Sequence, residues 1–181
     1  AECEADIRAL ANIPANYKIL YLTGGASAQN HMIPMNWMTP GKTADYIVTG
    51  NWSNATWKQG QKLSGKPGFG TAHLAATTED KNHTYIPKDE QLKFSANPAY
   101  IHYCSNNTLY GTEWFHVPKV PAGVPLICDT SSHMYSRPID LSKFAMVYAG
   151  AQKNLGPAGV TLCIIREDFA ETGSKDIPDL L

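Results

Sequence analysis

The sequence predicts an α/β fold with a mainly parallel sheet of seven strands, and three observations carry that expectation. Short β-branched or aromatic runs recur along the chain. Amphipathic or turn-rich stretches separate them, the pattern of strands alternating with helices. The 181 residues, 43% of them hydrophobic, are enough to bury one sizeable core.

A first helix is expected over Ala1 to Ala11, where Ala5, Ile7, Leu10 and Ala11 are apolar. The strand Lys18-Ile19-Leu20-Tyr21-Leu22 runs directly into Gly24-Gly25-Ala26-Ser27. These small residues let the backbone approach a ligand at a helix N-terminus, and that helix should cover about Ser27 to Met38. After the strand Asp45 to Thr49, a third helix is expected over about Ser53 to Leu63, capped by Ser53 just after Trp52. A weaker strand follows at Thr71 to Ala75. Gly65 to Gly70 and Glu79 to Asn97, rich in Pro, Gly and charge, read as irregular. Ala99 to Cys104, Val124 to Cys128, Phe144 to Tyr148 and Val160 to Arg166 complete the strands. The link Ala149 to Gly159 is too short for a helical crossover, so the last strand is expected to run antiparallel to its neighbour.

The chain has no initiator Met, opens inside a helical pattern and stops at Ile177-Pro178-Asp179-Leu180-Leu181 without closing an element. It therefore reads as a piece of a longer protein. A net charge of −1, from 15 basic and 16 acidic residues spread along the chain, offers no footprint for nucleic acid or an anionic membrane. There is no apolar run of about 18 residues and no basic leader at the start, so a soluble, untargeted protein is expected. Of Cys3, Cys104, Cys128 and Cys163, three sit inside apolar runs and read as buried free thiols, which fits a reducing, cytoplasmic setting. The sequons at Asn51, Asn54, Asn82 and Asn106 read as chance occurrences.

Ligands of such sheets bind outside the carboxyl ends of the strands. Polar candidates collect there: Gly24 to Ser27, Gly50 to Trp52, Asn106 to Thr108, Asp129, and Gln152-Lys153. Lys153 is the only charge between Ala149 and Gly159, a Gly- and Ala-rich segment. A lysine in such a loop can be desolvated into a nucleophile toward an aldehyde, or it can be an ordinary surface lysine. Asp129 ends an apolar run and reads equally as a turn or helix cap. Trp52 has a packing role open to it, Thr108 a turn role, and Gln152 that of a solvated loop amide. His102 reads as a sheet histidine. His31, His73, His83, His116 and His133 show no metal spacing, and no metal is expected.

These residues lie in segments that resemble the phosphoserine aminotransferases, a branch of the class V aminotransferases with the type I pyridoxal-phosphate fold. The similar segments are Ala44 to Trp52, Ala99 to Gly111, Cys128 to Ser132 leading into Ser136-Arg137-Pro138-Ile139-Asp140, and above all Tyr148 to Gly159 followed by Ile164 to Asp168. The resemblance implies a three-layer αβα large domain over residues 1–181, with pyridoxal 5'-phosphate as cofactor. It implies that Lys153 forms the Schiff base and then moves the substrate α-proton. Asp129 would face the pyridine nitrogen and keep it protonated, Trp52 would stack on the ring, and Thr108 would bond near the 3-hydroxyl. The backbone of Ala26 and Ser27 and the side chain of Gln152 would hold the phosphate. Some relatives carry Arg where Ser27 stands, so a basic hand on the substrate phosphate is expected elsewhere.

The implied reaction exchanges an amino group between L-glutamate and 3-phosphohydroxypyruvate, giving O-phospho-L-serine and 2-oxoglutarate in serine biosynthesis, in a cytoplasmic homodimer. The alternatives are another class V pyridoxal-phosphate chemistry, or a non-catalytic fragment of the parent enzyme. Full-length relatives add an N-terminal segment whose arginine grips the substrate carboxylate. They also add a C-terminal small domain and a loop reaching the partner's cofactor phosphate, so this chain alone is expected to be inactive.

Overall fold

The computed structural model describes residues 2–178; Ala1, included in the expected first helix, and residues 179–181 lie outside the described residues. In chain order the elements are α1 (Glu2–Ala11), β1 (Tyr17–Thr23), α2 (Gln29–Trp37), β2 (Thr43–Val48), α3 (Asn51–Leu63), β3 (Thr71–Thr77) and β4 (Tyr100–Cys104). There follow β5 (Asn106–Asn107), β6 (Thr112–Glu113), β7 (Leu126–Asp129), β8 (Met146–Gly150), β9 (Val160–Arg166) and α4 (Glu167–Glu171).

Seven of these strands form one sheet in the order β1-β9-β8-β7-β4-β2-β3. The pairs β2/β3, β2/β4, β4/β7 and β7/β8 are parallel, while β9 runs antiparallel to both β8 and β1. The expected reversal at β9 is thus present. Residues 151–159 form a tight loop from Gly150 to Val160, too short for a crossover, and the Ala151 N–H donates to the Val160 carbonyl at 3.0 Å. Because β1 and β8 both flank β9 and oppose it, β1 points the same way as the parallel strands. Their carboxyl ends therefore share one edge of the sheet.

Alternation along the strands sends neighbours to opposite faces. Tyr46, Tyr100, Ile127, Tyr148 and Cys163 pack with Ile33 and Met38 from the α2 region, Trp57 and Leu63 of α3, and Phe169 of α4. Ile47, Ile101, Tyr103, Cys128, Val147 and Ile164 face the other way, onto Ile7 and Ala11 of α1 and onto Leu92, Trp114, Met134 and Leu141. The second outer layer is therefore one helix plus irregular chain. Each fully buried Ile, Leu, Val, Met or Phe among them contributes about 1.5–3 kcal/mol. Helix α3 comes close enough to the sheet that a Cβ on Gly60 would lie 2.6 Å from the Tyr46 hydroxyl oxygen. That contact explains a mid-helix glycine, which costs about 1 kcal/mol in propensity.

Two local expectations are corrected. Helix α3 begins at Asn51 rather than Ser53, and Gly50 is its N-cap. The Ser53 hydroxyl instead donates back to the Gly50 carbonyl at 3.0 Å and accepts the Thr49 N–H at 2.9 Å, so it braces the strand-to-helix turn from within. The helix expected over Ser27 to Met38 is a 3-10 turn, Ala26–Ala28, leading into α2. The hairpin β5/β6 and the short α4 have no counterpart in the sequence expectations.

Cys104, Cys128 and Cys163 are buried free thiols, as expected, and Cys3 is exposed. His102 is enclosed in the sheet, its Nε2 2.9 Å from the Tyr148 hydroxyl, and burial holds its imidazole down to about 3. Among the described residues no helix is long and apolar enough to cross a membrane.

Candidate active site

The shared strand edge gathers the sequence-predicted residues. A cavity of about 140 Å³ there is lined by Gly25, Ala26 and Ser27 after β1, Trp52 at the start of α3, Asp129 and Ser131 at the end of β7, and Gln152 and Lys153 after β8. Thr108 is outside the lining, at the rim, and reaches the site through Lys153. A larger hollow of about 390 Å³ lies between Trp114, Met134 and Phe144 and contains none of the predicted residues.

Asp129 is the last residue of β7, and burial pushes its carboxyl up from the ordinary carboxylate value. The Ser131 hydroxyl at 2.6 Å and the Ser131 N–H at 2.9 Å both donate to Oδ1 and pull the other way, with a smaller pull from the charge of Lys153. The same hydroxyl accepts the Gly150 N–H at 2.9 Å, which ties the carboxylate to the strand that leads to Lys153.

Lys153 sits in the β8–β9 loop, partly exposed, and its Nζ donates to the hydroxyls of Thr108 and Ser132, the latter at 3.0 Å. Thr108 and Ser132 are themselves 2.6 Å apart, and the Ser132 hydroxyl also donates to the Asn106 carbonyl at 3.2 Å. The amine is thus held by hydroxyls, and the small-residue loop does not enclose it. Nζ lies 5.7 Å from the centroid of the Trp52 ring, which is 37% exposed and presents a flat apolar wall to the cavity.

The opposite corner is made of backbone. Ala26 and Ser27 open the 3-10 turn that continues into α2, where N–H groups lack intrahelical partners. A Cβ on Gly150 would lie 2.7 Å from the Gln152 side-chain oxygen and 3.2 Å from the Ala26 nitrogen, so glycine there keeps this corner open.

Sequence reasoning singled out neither Ser131 nor Ser132 as a partner of Asp129 or Lys153, nor did it pick out Asn30 or Cys104 in the lining. Serines after a strand end look like ordinary turn residues, and only their position beside Asp129 and Lys153 distinguishes them. Taken together, the site offers a primary amine, a buried carboxylate, an indole face and a donor-rich corner. That set suits a flat, anionic ligand that reacts with an amine.

The family model described as Aminotransferase class-V matches residues 1–175. The phosphoserine aminotransferase of Herpetosiphon aurantiacus is 49% identical over 180 residues, covering 99% of this chain and 48% of that protein. The solved phosphoserine aminotransferase of Bacillus circulans subsp. alkalophilus superposes with a TM-score of 0.89 at 43% identity, over 97% of this chain and 47% of that one. The pyridoxal-phosphate-bound phosphoserine aminotransferase of Trichomonas vaginalis gives 0.88 at 36% identity, over 99% of this chain and 52% of that one. The chain spans about half the length of the curated relatives it matches.

Proposed function

The chain belongs to the class V aminotransferase family, and we propose that it is the cofactor-binding large domain of a phosphoserine aminotransferase. The full-length protein would exchange the amino group between L-glutamate and 3-phosphohydroxypyruvate, yielding O-phospho-L-serine and 2-oxoglutarate for serine biosynthesis. It would work as a cytoplasmic homodimer, with the substrate-carboxylate arginine and the small domain outside residues 1–181.

The observation that carries this reading is the convergence of Lys153 and the buried Asp129 on one cavity, beside an indole face and an open backbone corner. The residues fit pyridoxal 5'-phosphate by donor chemistry: a carboxylate for a ring nitrogen, an amine for an aldehyde, and N–H groups for a phosphate. When bound, pyridoxal 5'-phosphate supplies an aldehyde that condenses with amines and a ring that accepts the electron pair left by a departing α-proton.

The chain's own residues have separable tasks. Lys153 would attach the cofactor and, once displaced by substrate, carry the proton at the substrate α-carbon. Asp129 would hold a proton on the pyridine nitrogen, and the cationic ring would favour the ionised carboxylate that burial alone disfavours. Ser131 would keep that carboxylate aimed. Trp52 would cover one face of the ring and exclude water from it, while Thr108 would bond near the 3-hydroxyl. The backbone of Ala26 and Ser27 with Gln152 would hold the phosphate. Ser27 leaves that corner without a basic side chain, so the substrate phosphate would be met by residues outside this chain.

The full-length protein, assayed with L-glutamate against a panel of oxo acids, should prefer 3-phosphohydroxypyruvate. Preference for an unphosphorylated oxo acid, or carbon–sulfur cleavage in place of transfer, would move it to another class V activity.

A further inference from the structure

Helix α3 has no side-chain cap of its own. Its N-cap is Gly50, and two N–H groups of its first turn are satisfied from another part of the chain. The Asn107 side chain, 55 residues beyond Trp52, places Oδ1 3.1 Å from the Trp52 nitrogen and 3.2 Å from the Ser53 nitrogen, accepting both. The Ser53 hydroxyl lies 3.3 Å from the same oxygen, and Asn107 Nδ2 donates to the Thr49 hydroxyl at 3.0 Å. Both halves of the amide are used, and Asn107 is 0% exposed.

The neighbourhood is built around this contact. A Cβ on Gly50 would fall 2.4 Å from the Asn107 Cβ, so glycine at the N-cap is the condition for Asn107 to enter. The hairpin that carries Asn107 is fixed to the same turn: the Thr112 hydroxyl donates to the Thr49 carbonyl at 2.7 Å, and the Trp114 ring N–H to the Thr49 hydroxyl at 3.4 Å. The residue after Asn107 is Thr108, which bonds Lys153.

We propose that Asn107 is a positioning residue: by capping α3 from the hairpin, it locks Trp52 to Thr108 and so sets the slot beside Lys153 into which the cofactor ring fits. This rests on the cofactor reading above, yet Asn107 is not among the residues that line the cavity. It acts through the backbone of Trp52. Aspartate would keep the oxygen at the positive end of the helix and lose the donor to Thr49, whereas alanine would lose both.

The test uses the full-length protein and two readouts, amide hydrogen exchange at Trp52 and Ser53 without cofactor, and pyridoxal 5'-phosphate affinity by titration. Asn107→Ala should speed exchange at both amides and weaken cofactor binding, each by about tenfold, the scale of a lost cap. Asn107→Asp should restore most of the protection. In a Trp52→Ala background, Asn107→Ala should cost less than about threefold in affinity, because the residue it positions is gone. Should the alanine variant not fold, Asn107→Ser, too short to span both N–H groups, is expected to give the same result.

Unchanged exchange at Trp52 and Ser53, or a full loss of affinity repeated in the Trp52→Ala background, would overturn the proposal. Failure of the cofactor reading itself shows differently: the unsubstituted protein would take up no pyridoxal 5'-phosphate, whatever the exchange rates at residues 52 and 53.

Discussion

Asp129 and Ser131 meet twice at one oxygen, the hydroxyl at 2.6 Å and the backbone N–H at 2.9 Å, both donated to Asp129 Oδ1. The pair fixes the orientation of a carboxyl that burial pushes up from its ordinary value, and through Gly150 it couples the end of β7 to the Lys153 loop.

Removing that hydroxyl should affect both stability and rate. Ser131→Ala frees one lobe of Asp129 and leaves the Gly150 N–H without its acceptor, so it is expected to cost about 1–3 kcal/mol of stability. The turnover number should fall at least about tenfold, with a smaller change in KM. Urea unfolding beside steady-state kinetics checks both.

Asp129→Asn should separate stability from function. Burial raises the folded-state value of this carboxyl above its unfolded value, so the folded protein holds an extra proton between the two. Stability is therefore lost as pH rises from the unfolded value, about 3.9, through the folded one. Asparagine has no charge to bury. At neutral pH the cofactor-free variant should melt above the unsubstituted protein, with the gap closing in acid, while transamination falls about a hundredfold or more. Melting curves at several pH values, with activity at one, make the comparison.

His102 sets an acid limit on the fold. Its folded value of about 3 lies below the ordinary 6.5, so the unfolded chain binds a proton first and stability falls as pH drops from about 6.5 toward 3. His102→Gln can keep a partner for the Tyr148 hydroxyl and cannot titrate. The pH dependence of its urea midpoint should be flatter than that of the unsubstituted protein across this window.

Gly150→Ala should close the backbone corner. The new methyl group would press on the Gln152 oxygen and the Ala26 backbone, and cofactor affinity should drop about tenfold with little change in the unfolding midpoint. Pyridoxal 5'-phosphate titration of the variant measures the loss.

Most of the seven strands were legible as apolar runs with β-branched or aromatic residues, β3 (Thr71–Thr77) only weakly, and the reversal of β9 because residues 151–159 are too few for a crossover. The strand-end logic also groups Lys153, Asp129 and Trp52 from sequence alone. What local reading missed depends on distance in sequence. Ser53 looked like the cap of α3, but the cap is Asn107, supplied by strands of two residues each, too short to leave a periodic signal. Ser132 earns its place only by meeting Lys153 and Thr108 in space.

The central claim, that Lys153 carries the cofactor, is tested most directly by borohydride reduction of the full-length protein loaded with pyridoxal 5'-phosphate, followed by tryptic mapping. A reduced lysine resists trypsin, so the label should appear on one peptide running from Phe144 to Arg166, uncut at Lys153. Label on any other lysine, or bound cofactor with that peptide cleaved and unmodified, would contradict the assignment.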